Sequence, residues 1–362
     1  MKHIIDFNSP TPAYQQLYLQ VREDIINGIY PFGSKLPSKR TVALNSNIST
    51  VTVEHAYALL CEEGYIEARE RSGYFVVFQK ADGFASAVTA VDRQETKHHT
   101  GHAQSAFPYS VLCRTMRKVL INYEEVLLEK SPNSGCIEFR MALKDYLARN
   151  RGIHVDIEQI VIGSGTEYLY GMMVELFGRN KTIAIEYPSY NKIEQVYQIS
   201  EIKYESLPLT DDGIDSSALA STSADILHTT PYRSYPSGVT ASASKRHEYI
   251  RWSGKGDRYI IEDDFESEFS VSTKPMETLF SLSPHDNVIY LNTFSKTISP
   301  AIRVAYIVLP QKLVDVFQKK LGFYSCTVPT YMQYVLAKLL NNGDFERHIN
   351  RVRREKRKNM HF

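Results

Sequence analysis

The sequence predicts an α/β domain built on a largely parallel sheet, preceded by a small helical domain that ends in a β-hairpin. Three observations carry this. Residues 1–78 read as helix, helix, helix and hairpin. Residues 79–106, which include "KHHTGH", are small, polar and without apolar periodicity, as a linker would be. Over 107–362, apolar β-type runs alternate with helical stretches, the pattern of strands joined by crossover helices. A chain of 362 residues, 43% hydrophobic and 23% charged, has the composition of a globular protein with a substantial core.

The first domain is legible element by element. An amphipathic helix closes at Asn27-Gly28, and Pro37-Ser38 in "LPSKR" opens a short second helix. "ISTVTVEHAYALLCEEGY" begins with hydroxyl residues able to cap and continues as a third helix, which Gly64 ends. "YIEARERSGYFVV" supplies two strands that turn at Ser72-Gly73. Three helices followed by a two-stranded wing are the layout of a winged helix-turn-helix, whose third helix enters the major groove of DNA. Residues 1–80 contain eight Lys+Arg and eight Asp+Glu, so any positive face must come from segregation of charge.

In the second domain "QIVIGSG" is a strand followed by a helix from Thr166 to Phe177. "KTIAIEYP" is a strand followed by a helix from Tyr190 to about Ile199, and "ADILHTTP", "RYIIEDD", "NVIYLNTFS" and "RVAYIVLP" are further strands. Ligands of such sheets bind beyond the carboxyl ends of the strands, where Gly165, Asp263 and Lys296 fall.

Lys296, in "LNTFSKTISPAIRVAY", follows an apolar strand. Alone it would read as a surface lysine whose stem snorkels along apolar groups. Desolvated, it would be a nucleophilic amine suited to a Schiff base. Its surroundings favour the second reading. Asp263 ends the strand "YIIED", where a carboxylate needs a partner to be buried. Asp264 beside it points the opposite way if both stay in the strand. Ser164, Gly165 and Thr166 lie at a strand-to-helix turn whose backbone amides suit a phosphate, although such a turn is commonplace. Thr293, Ser295 and Arg303 offer two hydroxyls and a guanidinium to the same group, and Tyr190 can cover an aromatic ring. Together they meet the needs of pyridoxal phosphate: an amine, a carboxylate for the ring nitrogen, a polar phosphate cup and a stacking aromatic.

These residues, in this order, resemble fold type I pyridoxal-phosphate enzymes of the aminotransferase class. The first domain resembles the GntR family through "LPSKR", "STVTVEHAY" and "EGYI…GYFV". The combination, with "TPYRSYPSGVTASASKRHEYI", "YIIEDDFESEF" and "NTFSKTISPAIRVAYIVLP", is similar to the MocR/GabR subfamily of regulators. The resemblance implies DNA contacts from Lys39, Arg40, Ser49, Thr50, Thr52 and His55 and, on the wing, Arg69 and Arg71. It also implies a homodimer that binds double-stranded operator DNA, with an amino compound as effector. The chain departs from the subfamily at Phe265, where a tyrosine is usual, and at Arg233-Ser234, where His-Gln is usual. It stops at "RHINRVRREKRKNMHF", inside the helix expected to lead to a smaller C-terminal lobe, so the second domain reads as C-terminally incomplete.

The implied function is a regulator whose aminotransferase-like domain senses an amino compound through Lys296, with at most a transaminase half-reaction. Two alternatives stay open: a working aminotransferase with an appended DNA-binding domain, and a DNA-binding dimer with a relic domain. No metal site competes, since there is no HExxH and the histidines lack ligand spacing. The four cysteines form no CxxC pair and fit reduced thiols. No apolar run approaches the roughly 20 residues that span a bilayer. "MKHIIDFNSPTPAYQQ" lacks a signal-peptide core, so a cytoplasmic protein without membrane association is expected.

Overall fold

The computed structural model describes residues 3–7, 9–70, 72–78, 107–265, 267–270 and 277–360. The chain divides into two compact units, Met1–His99 and Thr100–Phe362. The linker expected at 79–106 lies outside the described residues.

In the first unit helices α1 (Ala13–Ile26), α2 (Lys39–Ser46) and α3 (Thr50–Glu62) precede strands β1 (Ile66–Arg69) and β2 (Gly73–Val76). The hydroxyl caps fall where the sequence places them. Ser38 accepts from the Thr41 amide and Ser49 from the Thr52 amide, each satisfying a helix-end donor. The hairpin pairs antiparallel from Ile66↔Val76 to Arg69↔Gly73. Leu17, Val21, Val53, Leu60 and Ile66 form the core, each contributing about 1.5–3 kcal/mol by leaving water. The buried Tyr57 donates to the Pro37 carbonyl at 2.9 Å, fixing α3 to the entry of α2.

The second unit opens with α4 (Tyr109–Tyr123) and α5 (Ile137–Arg151). Then follow β3 (Ile160–Gly163), α6 (Thr166–Phe177), β4 (Thr182–Tyr187), α7 (Asn191–Ile199), β5 (Lys203–Thr210), β6 (Gly213–Ile214) and α8 (Ser216–Ser221). β7 (Ile226–Thr229), α9 (Ala243–Ser253), β8 (Tyr259–Asp263), α10 (Leu279–Leu282), β9 (Val288–Thr293) and β10 (Ala305–Val308) come next. Helices α11 (Gln311–Leu321), α12 (Thr330–Asn341) and α13 (Asp344–Met360) close the described chain. Among the described residues the strands form one eight-stranded sheet in the order β3-β10-β9-β8-β7-β4-β5-β6.

The pairs β9·β8, β8·β7, β7·β4 and β4·β5 are parallel, whereas β10 runs antiparallel to both β9 and β3. That reversal explains the spacing of Lys296 and Arg303. Thr293, which ends β9, pairs with Ala305, which starts β10, so the whole loop between them stands at one sheet edge. β3 runs the same way as β9 and brings Gly165 to that edge.

Strand alternation assigns the faces. Ile261, Ile289 and Leu291 pack with α6, α7 and α11, and Tyr290 and Tyr306 pack with α5 and α12 on the other side. On that second side Arg151, the last residue of α5, pairs with Asp264 while both are buried. Tyr290 donates to Asp264 at 2.8 Å, and Asn292 donates to Glu268 at 2.7 Å. A charge is tolerable there because it is paired and hydrogen-bonded.

Candidate functional site

A cavity of about 440 Å³ opens at the carboxyl edge of β8 and β9, and its wall includes Thr166, Tyr190, Asp263, Thr293, Ser295, Lys296 and Arg303. Ser164 is not in that wall, and Gly165 lies behind Arg303. A Cβ on Gly165 would come within 2.4 Å of the Arg303 guanidinium, and its φ of +112° is strained for any side chain. A second concavity of about 490 Å³, bordered by Asn350, Arg354, Arg357 and Lys358, offers no carboxylate and no hydroxyl.

Asp263 is 2% exposed. Its Oδ2 accepts from the Tyr170 hydroxyl and lies 3.6 Å from His228 Nε2. Its Oδ1 is buried without a hydrogen-bond partner in the protein. One oxygen is thus anchored and the other left for a donor entering the cavity. Burial, and then the Asp263 charge, pushes the Tyr170 phenol well above its ordinary range, so it stays a donor. His228 in turn contacts the Tyr197 hydroxyl through Nδ1 at 2.7 Å.

Lys296 follows β9 and is exposed at the cavity mouth rather than desolvated, because the loop carries it past the apolar strand. Its ammonium lies 5.9 Å from the centre of the Phe265 ring. The Ser295 hydroxyl is buried without a partner, whereas Thr293 donates to the Val304 carbonyl at 3.2 Å and braces the loop. Glu167 accepts from Arg303 and from Lys192, each at 2.6 Å. Partial burial raises the Glu167 carboxyl, but those two cations outweigh it and hold the group down at about 2. Tyr190 meets Tyr235 edge-to-face at 6.1 Å across the cavity wall. Arg233 has φ +57° and is exposed outside that wall, while Ser234 donates to the buried Glu186 at 2.7 Å.

Tyr170, His228, Glu167 and Tyr235 were not foreseen. Tyr170 stands one turn after Thr166 on α6. His228 lies in β7 beside β8, where it pairs with Ile261. Both look like core residues in the sequence until the neighbour of Asp263 is known.

On the first unit, Lys39 donates to Glu54 at 2.8 Å, and Arg40 and Thr50 are exposed. The Ser49 and Thr52 hydroxyls lie 2.8 Å apart and are engaged with each other at the helix cap. His55 stacks on Tyr14 with ring centres 4.1 Å apart. Arg69 donates to Glu67 at 2.6 Å and lies 4.4 Å from the centre of the Phe75 ring. Arg71 lies outside the described residues.

Residues 105–362 match the family described as aminotransferase class I and II, and residues 13–76 match the gntR family of bacterial regulatory proteins. The chain is 32% identical over 358 residues to the uncharacterized HTH-type transcriptional regulator YdeL of Bacillus subtilis, covering 96% of this chain and 77% of that protein. It is 26% identical to the probable rhizopine catabolism regulatory protein MocR of Rhizobium meliloti, over 97% of this chain and 76% of that one. Among solved structures, LysN, the α-aminoadipate aminotransferase of Thermus thermophilus, superposes with a TM-score of 0.60 at 26% identity. The match covers 70% of this chain and 65% of that one, so the chain spans somewhat less than two thirds of that enzyme. An archaeal alanine:glyoxylate aminotransferase gives a TM-score of 0.61 at 24% identity, over 67% of this chain and 62% of that one, a likeness of fold.

The aminotransferase domain implies pyridoxal phosphate as cofactor. The residues fit it: the orphaned Asp263 oxygen suits the protonated ring nitrogen, and the orphaned Ser295 hydroxyl and Arg303 suit the phosphate. Through residues 105–362 and 13–76, the chain belongs to the aminotransferase class I and II family with an N-terminal gntR domain, the architecture of the HTH-type transcriptional regulators to which it is similar.

Proposed function

We propose that this DNA-binding regulator holds pyridoxal phosphate on Lys296 and responds to an amino compound that reaches the same cavity. The observation that supports it best is the meeting of Lys296, the free Asp263 oxygen and Arg303 around one 440 Å³ cavity. Bound there, the cofactor supplies an aldehyde carbon that condenses with amines. Lys296 presents its amine at the mouth, Asp263 accepts a hydrogen bond while Tyr170 fixes its other oxygen, and Arg303 and Ser295 take up phosphate charge. Arg303 must then share its guanidinium between phosphate and Glu167, which links the phosphate cup to Lys192 on α7.

DNA affinity comes from Lys39, Arg40 and the wing, with the start of α3 at the bases. We further propose that the protein works in the cytoplasm as a homodimer; among the described residues no helix is long and apolar enough to cross a membrane. Exposed Tyr109, Leu120, Ile121 and Leu128 on and just after α4 supply apolar surface suited to a second copy. Regulation requires that the amine favour one of two states of the protein.

The test is fluorescence anisotropy on a duplex selected from a random pool by the full-length protein loaded with pyridoxal phosphate, with a panel of amines. A shift in DNA affinity with wild type that is absent in Lys296→Ala supports the reading. Identical titrations for both proteins with every amine would sink it.

A further inference from the structure

We propose that Val51 reads the methyl group of a thymine in the major groove of the operator, an inference that rests on the DNA-binding reading above. Helix α3 buries Val53, Ala56, Tyr57 and Leu60 against its own domain. At 3.6 residues per turn Val51 falls on nearly the opposite side. It is 71% exposed, one of several large apolar side chains that this domain leaves in solvent, with Leu44 of α2 at 82%.

Several of its polar neighbours are already engaged. The Ser49 and Thr52 hydroxyls face each other at the cap, Glu54 is held by Lys39 at 2.8 Å, and His55 is stacked on Tyr14. Helix α3 also contains neither lysine nor arginine. It therefore lacks the side chains that make the commonest specific contact, a bidentate pair with guanine. What its first turn offers the groove, beside the Thr50 hydroxyl, is apolar surface from Val51 and the Thr50 methyl. The thymine methyl is the apolar feature of the major-groove edge, whereas the amino groups of cytosine and adenine would lose water against an isopropyl group without gaining a partner. The side chain thus favours a T·A pair by attraction and disfavours the others by desolvation.

The test uses the full-length protein and duplexes it selects from a random pool. Each thymine of a selected site is replaced in turn by deoxyuridine, which lacks only the methyl. At one position per half-site wild type is expected to lose about fourfold in affinity, the factor for burying one methyl group. Val51→Ala, at an exposed position where thermal unfolding should be unchanged, is expected to discriminate less between the thymine and uracil duplexes. Indifference of wild type to every replacement, or undiminished discrimination by Val51→Ala, would overturn the proposal. Failure to bind any duplex would overturn it together with the DNA-binding reading.

Discussion

Asp263 and Asp264 are neighbours in the chain but serve opposite faces of one sheet: Asp263 joins Tyr170 at the cavity, and Asp264 joins Arg151 and Tyr290 in the core behind it. The end of β8 therefore couples a cavity-facing carboxylate to a structural one. Asp264→Asn leaves the Arg151 guanidinium buried without its counter-charge and should cost about 3–5 kcal/mol of stability. Asp263→Asn should leave stability close to wild type and weaken cofactor binding. Chemical denaturation and spectroscopic titration of both variants separate the two roles; equal loss of stability would contradict them.

Burial, and next the Asp264 charge, raises both Glu262 and Glu268 from 4.5 to about 7. Each keeps its proton up to about pH 7 when folded but loses it near pH 4.5 when unfolded. The folded state thus binds more protons between those values, and stability should fall as pH rises through that window. Glu268→Gln removes its share, so its Tm should fall less than that of wild type between pH 5 and pH 8. Parallel Tm profiles would refute this.

Arg303→Ala should weaken pyridoxal phosphate binding about 10- to 100-fold, the range for a hydrogen bond to a charged group. Gly165→Ala should weaken it in the same sense without touching any charge, because the added methyl displaces the Arg303 guanidinium. Absorbance titration checks both, and unchanged affinity in Arg303→Ala would rule out its place in the phosphate cup.

Lys39 divides its charge between Glu54 and any phosphate it meets. Glu54→Gln should tighten DNA binding, whereas Lys39→Ala should weaken it and lower the slope of log affinity against log salt by about 0.9. Anisotropy titrations between low and moderate salt measure both slopes. Equal slopes for Lys39→Ala and wild type would remove Lys39 from the interface.

Local features were the most legible in the sequence. Ser38 and Ser49 announced their helices because a capping hydroxyl is a short-range requirement, and Lys296, Asp263 and Arg303 stood at strand ends that a sheet of this kind gathers. The reversal of β10 was not legible, since antiparallel pairing of "RVAYIVLP" with β9 and β3 depends on partners distant in the chain. Nor were Tyr170 and His228, whose aromatic rings read as ordinary core until β7 and β8 are adjacent. Val51 was passed over for a different, local reason: its β-branched side chain resembles the buried Val53 two residues on, and only the helix phase separates them.

The proposed cofactor site joins Lys296, Asp263 and Arg303 around one cavity. The most direct measurement is the visible absorption spectrum of the purified protein with added pyridoxal phosphate, beside Lys296→Ala. A Schiff-base band in wild type that is absent from the variant is the predicted result. No band in either protein, or the same band in both, would rule out Lys296 as the attachment point.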